Sequence, residues 1–254
     1  MKRPDEAKLF EIEDGLETLR KVMTLRDIMS LIERTALWVA PETFHLLPVW
    51  YPEHARRGLF YKKGWLEPQM NTSRATGNAI HKGECNVHAN KAITQALGLT
   101  KKLRTNWTCC HIWGLDDPTF QRSNLIAMDR RFFSCIANMV LLPTPLKAFT
   151  DVMPEVKALL RICAHNLYGW RCDHESLFTT NSALDAWTDW DAYPESWPRT
   201  LHEKLPLGVV PLTARIRSRA KKRLASISHD LSSAGPNYPR DEVKDVLTYW
   251  KIAL

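Results

Sequence analysis

The fold turns on two pieces of one stretch, CCHIWG at 109–114 and NMVLLPTPLKAFTD at 138–151. Entered from Trp107, WTCCHIWG mixes aromatic, thiol and β-branched residues and stops at Gly114, which predicts a strand. NMVLLP is a second short apolar run closed by Pro143, and the residues after it predict a short helix from Thr144 or Pro145. Between the two lies a polar interval that contains Asp116, Asp117 and the run DRRFF at 129–133, and 27 positions separate His111 from Asn138. Strand, strand and helix follow one another in that order.

Working outward, a helix is predicted from about Glu84 to Leu97, stopped by Gly98. Residues 71–83 are rich in turn formers and make the best candidate boundary, while 41–70 mix Pro, aromatics and basic pairs without clean periodicity. Further upstream, Thr24 with Asp27 three residues later forms a capping pattern. Leu25, Ile28, Met29, Ile32, Ala36 and Val39 then repeat on one helical face up to Pro41. Downstream, 155–168 reads as a helix with Val156, Leu159, Leu160, Cys163 and Leu167 on one side. Residues 171–210 read as loops and short helices. In the helix predicted over 212–231, Ile216, Ala220, Leu224, Ile227 and Leu231 share one face and Arg215, Arg219, Lys222 and Arg223 another. A last helix runs from about Arg240 to Ile252. The expected class is α+β, mainly α, with an N-terminal helical region (1–80), a central ββα module (81–170) and a C-terminal helical region (171–254).

Composition bounds the function. The 254 residues are 44% hydrophobic and 25% charged, which excludes disorder, collagen and coiled coil as descriptions of the whole. No apolar run approaches the ~18 residues of a membrane span, and the N-terminus lacks a signal-peptide core. A cytoplasmic protein without a membrane partner is expected. Six cysteines contain no CxxC pair, which points to reduced thiols. The net charge of +7 is uneven: 81–170 carries +5 and 211–254 carries +5, separated by −4 over 171–210. This distribution favours an anionic partner, with Arg215, Arg219, Lys222 and Arg223 as candidate contacts to a nucleic-acid backbone, and Arg130 and Arg131 ahead of two Phe as a phosphate grip. GxGxxG, Walker A and GxSxG patterns are absent.

The 109–151 stretch resembles the HNH endonuclease family, in which AHI, an interval and NxLLLxxxLHxLFD follow one another. Asn138 takes the Asn place, Leu141 and Leu142 the apolar strand, Leu146 and Lys147 the Leu-His pair, and Asp151 the closing Asp, without a gap. The resemblance implies a ββα-metal nuclease acting on DNA, with restriction or phage defence as its setting. It implies His111 as general base, Asn138 holding the imidazole in its working orientation, and a divalent ion, Mg or Mn with Zn as an alternative, offsetting charge on the phosphate. A neutral His is the side chain best able to take a proton near pH 7.

Two positions depart from the family pattern. Lys147 stands where His or Asn usually ligates the metal, and Cys110 precedes the base where Asp or His is common. Three arrangements compensate: Asp151, one turn after Lys147, approaches the ion; Asp116, Asp117 or Asp129 swings in from the interval; or Lys147 itself places its charge on the phosphate. Asp151 or Asp129 with Lys147 on the phosphate is the favoured set, with Cys110 as a soft ligand in reserve. Glu84 and His88 form an i, i+4 pair whose favoured reading is surface or core packing, with an approach to the site as the alternative. A nuclease cutting both strands suggests a homodimer. The alternatives are a nucleic-acid-binding protein on a degenerate HNH fold, or a scaffold docking through the Trp-rich acidic segment 171–210.

Overall fold

The computed structural model describes residues 14–114, 123–188 and 190–254. In chain order its elements are α1 (Gly15–Arg20), α2 (Leu25–Thr35), β1 (Trp38–Val39), α3 (Pro41–Leu46), β2 (Met70–Thr72), β3 (Ala79–His81), α4 (Val87–Ala96) and β4 (Trp107–His111). Then come α5 (Leu125–Met128), α6 (Arg130–Phe133), β5 (Met139–Pro143), α7 (Lys147–Val152), α8 (Pro154–Tyr168), α9 (Phe178–Asp185), β6 (Val209–Val210), α10 (Ala214–Ser233) and α11 (Arg240–Tyr249). Helix predominates and the strands form two-stranded sheets, so the chain is mainly α within the α+β class.

The predicted capping box holds α2: the Thr24 hydroxyl accepts the Asp27 N–H, and the Asp27 carboxylate accepts that of Thr24. Its apolar face buries Ile28, Met29 and Ile32. The helix ends at Thr35 instead of running to Pro41, because Leu37 exchanges backbone hydrogen bonds with Leu141 and β1 pairs in parallel with β6. Pro41 instead begins α3, where its missing N–H is not required.

The boundary expected at 71–83 is an antiparallel hairpin, β2 on β3, with the turn formers reversing the chain and Gly77 supplying a left-handed φ of 72°. Helix α4 starts three residues later than its periodicity suggested, since the Glu84 carboxylate sits ahead of it and accepts the Val87 N–H at 2.5 Å. Gly169, at φ 64°, ends α8. In α10 the predicted face is buried at Ile216, Ala220 and Ile227.

The antiparallel pair β4–β5 lies at the centre, in the register Trp107↔Pro143 to His111↔Met139, and α7 packs back on β4. Met139 through Leu142 are buried, within one cluster that extends from Ile28 to Ala220 and so draws on N-terminal, central and C-terminal residues. A smaller cluster of Ile227, Tyr238, Val243 and Leu247 fastens α11 to the end of α10. No helix among the described residues is long and apolar enough to cross a membrane.

Candidate functional site

His111 is the last residue of β4, half-buried on the wall of a cavity of about 330 Å³. Its Nε2 lies 2.9 Å from the Phe133 carbonyl oxygen, and the two rings stack with centroids 5.9 Å apart. A carbonyl only accepts, so Nε2 carries the proton and Nδ1 keeps the lone pair when the ring is neutral. Burial, with smaller contributions from Arg56 and Lys157, pushes the imidazole pKa down to about 4, against the opposing effect of the Phe133 hydrogen bond. The ring is therefore a neutral base at physiological pH.

Asn138 does not touch this ring. Its side chain is buried between two loop segments: Oδ1 accepts the Trp113 N–H at 2.7 Å and Nδ2 donates to the Phe132 carbonyl at 3.0 Å. Its own carbonyl accepts the Ile112 N–H at 2.9 Å. The expected direct contact is thus replaced by an indirect one, in which Asn138 fixes the Phe132–Phe133 segment whose next carbonyl holds His111. Arg161, buried on α8, completes the brace by donating to the carbonyls of Ile112 (2.9 Å) and Gly114 (2.6 Å).

Cys110, Lys147 and Asp151 line the same cavity as His111. Lys147 and Asp151, one helical turn apart on α7, form an ion pair with each other. Burial raises the Cys110 thiol to about 11, against hydrogen bonding from Thr150 and the charge of Lys147, so it is a thiol rather than a thiolate ligand. Asp129 is elsewhere: its carboxylate caps α6 through the Arg131 N–H and pairs with the Arg131 guanidinium, because it directly precedes that helix. Asp116 and Asp117 fall outside the described residues.

The remaining charged lining is cationic. Arg56, Arg57 and Lys157 join Lys147, facing Asp151 as the one carboxylate among the described lining residues. Arg57 holds a left-handed backbone at φ 68°, a conformation that costs a non-glycine residue roughly 1–2 kcal/mol. The sequence left Arg56 and Arg57 unassigned, since they sit in a segment without periodicity. Lys157 and Arg161 carried a readable signal: two cations one turn apart in a helix buried almost all round must face something polar.

The donor set falls short of a divalent-ion site. Nδ1 of His111 and a carboxylate already neutralised by Lys147 are the suitable donors, set among four cations. A second cluster has better ligand types: the metal-binding atoms of His54, Glu84 and His88 lie within 4.8 Å of one another. Glu84 is committed there to His88 Nδ1 at 2.5 Å and to the Val87 N–H, and neither Glu84 nor His88 lines the His111 cavity. The His54 and His88 rings stack in parallel, 6° apart with centroids at 3.4 Å, so their in-plane lone pairs do not converge on one ion unless a ring turns.

Of the basic residues expected on nucleic acid, Arg215 and Lys222 are exposed. Arg131 is paired with Asp129 and packed over the Phe132 and Tyr249 rings, and half-buried Arg130 contributes its charge to the surroundings of His54. Arg223 is structural: it pairs with buried Glu53, donates to the Trp50 carbonyl at 2.6 Å and covers the Tyr51 ring. Arg219 donates to the Leu99 carbonyl at 2.9 Å and lines a different cavity. Compared with known proteins, the chain matches no family model, no curated relative and no solved structure.

Proposed function

We propose that the His111 cavity binds a phosphodiester of DNA and hydrolyses it, in the manner of the HNH endonucleases that the 109–151 stretch resembles. The supporting observation is a neutral imidazole, tied at Nε2 and unprotonated at Nδ1, on the wall of a cavity with four cations and one carboxylate. Nδ1 takes a proton from water as its oxygen attacks phosphorus, the P–O bond to the leaving oxygen breaks, and that oxygen is protonated from solvent. Arg56, Arg57 and Lys147 offset the charge gathering on the non-bridging oxygens. No step is assigned to the divalent ion implied by the resemblance, since the described donors do not make its site.

A second reading, DNA binding without cleavage, draws on the Lys147–Asp151 pair, which occupies the carboxylate that a metal would need. Incubation of duplex and single-stranded DNA with Mg²⁺, Mn²⁺ or chelator separates the two. Cleavage that disappears in His111→Ala supports hydrolysis, and His111→Ala protein cutting at the wild-type rate overturns it. Binding without cleavage under every condition supports the second reading.

A further inference from the structure

A second cavity, of about 780 Å³, lies at the opposite end of β4 from His111, between α4, the turn Lys101–Arg104 and α10. Lys91, Lys101, Arg104 and Arg219 line it together with Leu99 and Trp107, and the described lining contains no carboxylate. The sequence explains the imbalance: residues 85–115 contain four Lys or Arg and no Asp or Glu, and α10 adds Arg219.

Two of these cations are held in place without being neutralised. Arg104 donates to the Asn90 carbonyl (3.0 Å), the Thr94 hydroxyl (2.7 Å) and the Asn90 side-chain oxygen, and Arg219 donates to the Leu99 carbonyl. Every acceptor is neutral, so the geometry is fixed while the charge stays available. Lys91 sits over the Tyr51 ring, 5.0 Å from its centroid. The Trp107 ring has no aromatic partner among the described residues.

A fixed cationic wall beside an apolar floor fits a ligand that carries both a phosphate and a flat ring. An inorganic anion makes no use of the floor, and the Asp and Glu side chains of an acidic peptide have no ring to lay on it. The volume lies in the range of roughly 300–1,000 Å³ usual for small-ligand pockets. We propose that this cavity binds an unpaired nucleotide of a nucleic-acid strand, its base against Trp107 and its phosphates on Lys101, Arg104 and Arg219. The link to the first cavity rests on the nuclease reading. Trp107 to His111 spans about 13 Å of strand, so one short unpaired strand reaches from the stacked base to the phosphate at His111.

The test measures binding of a fluorescent oligothymidylate and of a duplex of equal length to the full chain carrying His111→Ala, so that no cleavage intervenes, and to further variants of it whose folding is checked by thermal melting. Lys101→Gln with Arg219→Gln weakens single-strand binding at least tenfold and makes the salt slope shallower by about 1.4, the two lost cations contributing about 0.7 each. Trp107→Leu weakens it at least fivefold and Trp107→Phe restores most of the loss. Unchanged single-strand affinity in the folded double variant overturns the proposal, as does a duplex that binds more tightly and is indifferent to Trp107. A protein that binds the single strand as expected yet cleaves no DNA in any ion removes the hydrolytic reading and leaves this cavity's assignment standing.

Discussion

Nε2 of His111 is bound to the carbonyl of Phe133, 22 residues away, at 2.9 Å, and this one contact decides which imidazole nitrogen keeps its lone pair. It pins the tautomer and orients the ring. Replacing His111 with Ala is expected to lower DNA cleavage by roughly 10²–10⁴-fold, the usual contribution of a general base. Because the ring titrates at about 4, the acid limb of the wild-type rate profile should fall near pH 4 instead of 6.5, as a pH series of single-turnover rates would read.

Asn138 acts on that ring through the backbone. Asn138→Ala leaves the Trp113 N–H without this partner in a buried site and removes one hydrogen bond from the Phe132 carbonyl, which keeps the Cys135 N–H at 3.3 Å; this should cost about 1–3 kcal/mol of stability in urea unfolding. Asn138→Asp keeps the acceptor for Trp113 but sets a buried carboxylate oxygen against the Phe132 carbonyl, so at neutral pH a loss at least as large is expected. In both variants the acid limb of the rate profile should rise toward 6.5 as the Phe133 segment loosens and water reaches the imidazole; an unmoved limb would assign Asn138 to stability alone.

Lys147 keeps Asp151 neutralised. Lys147→His removes that cation and places an imidazole one turn before the carboxylate, giving two adjacent donors. Calorimetric titration with Mn²⁺ should show at least a tenfold gain in affinity over the wild type. Equal affinities would mean that Asp151 is not turned toward the cavity.

Arg223 and Glu53 form a buried pair that ties α10 to the segment after Trp50. Arg223→Ala strands the Glu53 carboxylate and should destabilise the protein by about 3–5 kcal/mol, whereas Lys222→Ala, an exposed neighbour, should change stability by less than about 0.5 kcal/mol. Thermal melts of the two variants check the contrast.

Two half-buried histidines lower stability on acidification. Burial, then the charges of His88 and Arg223, lowers His54 to about 2, and His111 titrates at about 4. Below about pH 6.5 the unfolded chain takes up these protons and the folded chain does not, so stability falls on acidification. Between about pH 6 and 5 each histidine should contribute a slope approaching ~1.4 kcal/mol per pH unit; that of His111 fades as the pH falls through about 4, while that of His54 persists below it. His54→Asn should flatten that dependence, measured as unfolding free energy against pH.

The sequence was most informative where one element answers to local chemistry. Thr24 with Asp27 caps a helix by contacts three residues apart, and the Ile216–Ala220–Ile227 face follows from 100° per residue. The order of strand, strand and helix around His111 was legible for the same reason, because apolar runs, Pro143 and Gly114 act over a few residues. The hairpin at 70–81 was not legible as strands, since Met70–Thr72 and Ala79–His81 are exposed throughout, bury nothing and so leave no periodicity.

What the sequence by itself determined is the mainly helical class, the central position of β4 and β5, and the presence of His111, Asn138, Lys147 and Asp151 on successive elements. Tertiary structure alone decided their employment. Long-range packing set Phe133 against His111, sent Asn138 to the backbone, gave Asp129 to Arg131 and Arg223 to Glu53, and brought Arg56, Arg57 and Lys157 to the cavity. A charged side chain goes to the nearest partner that satisfies it in space, and distance along the chain carries no record of which partner that is.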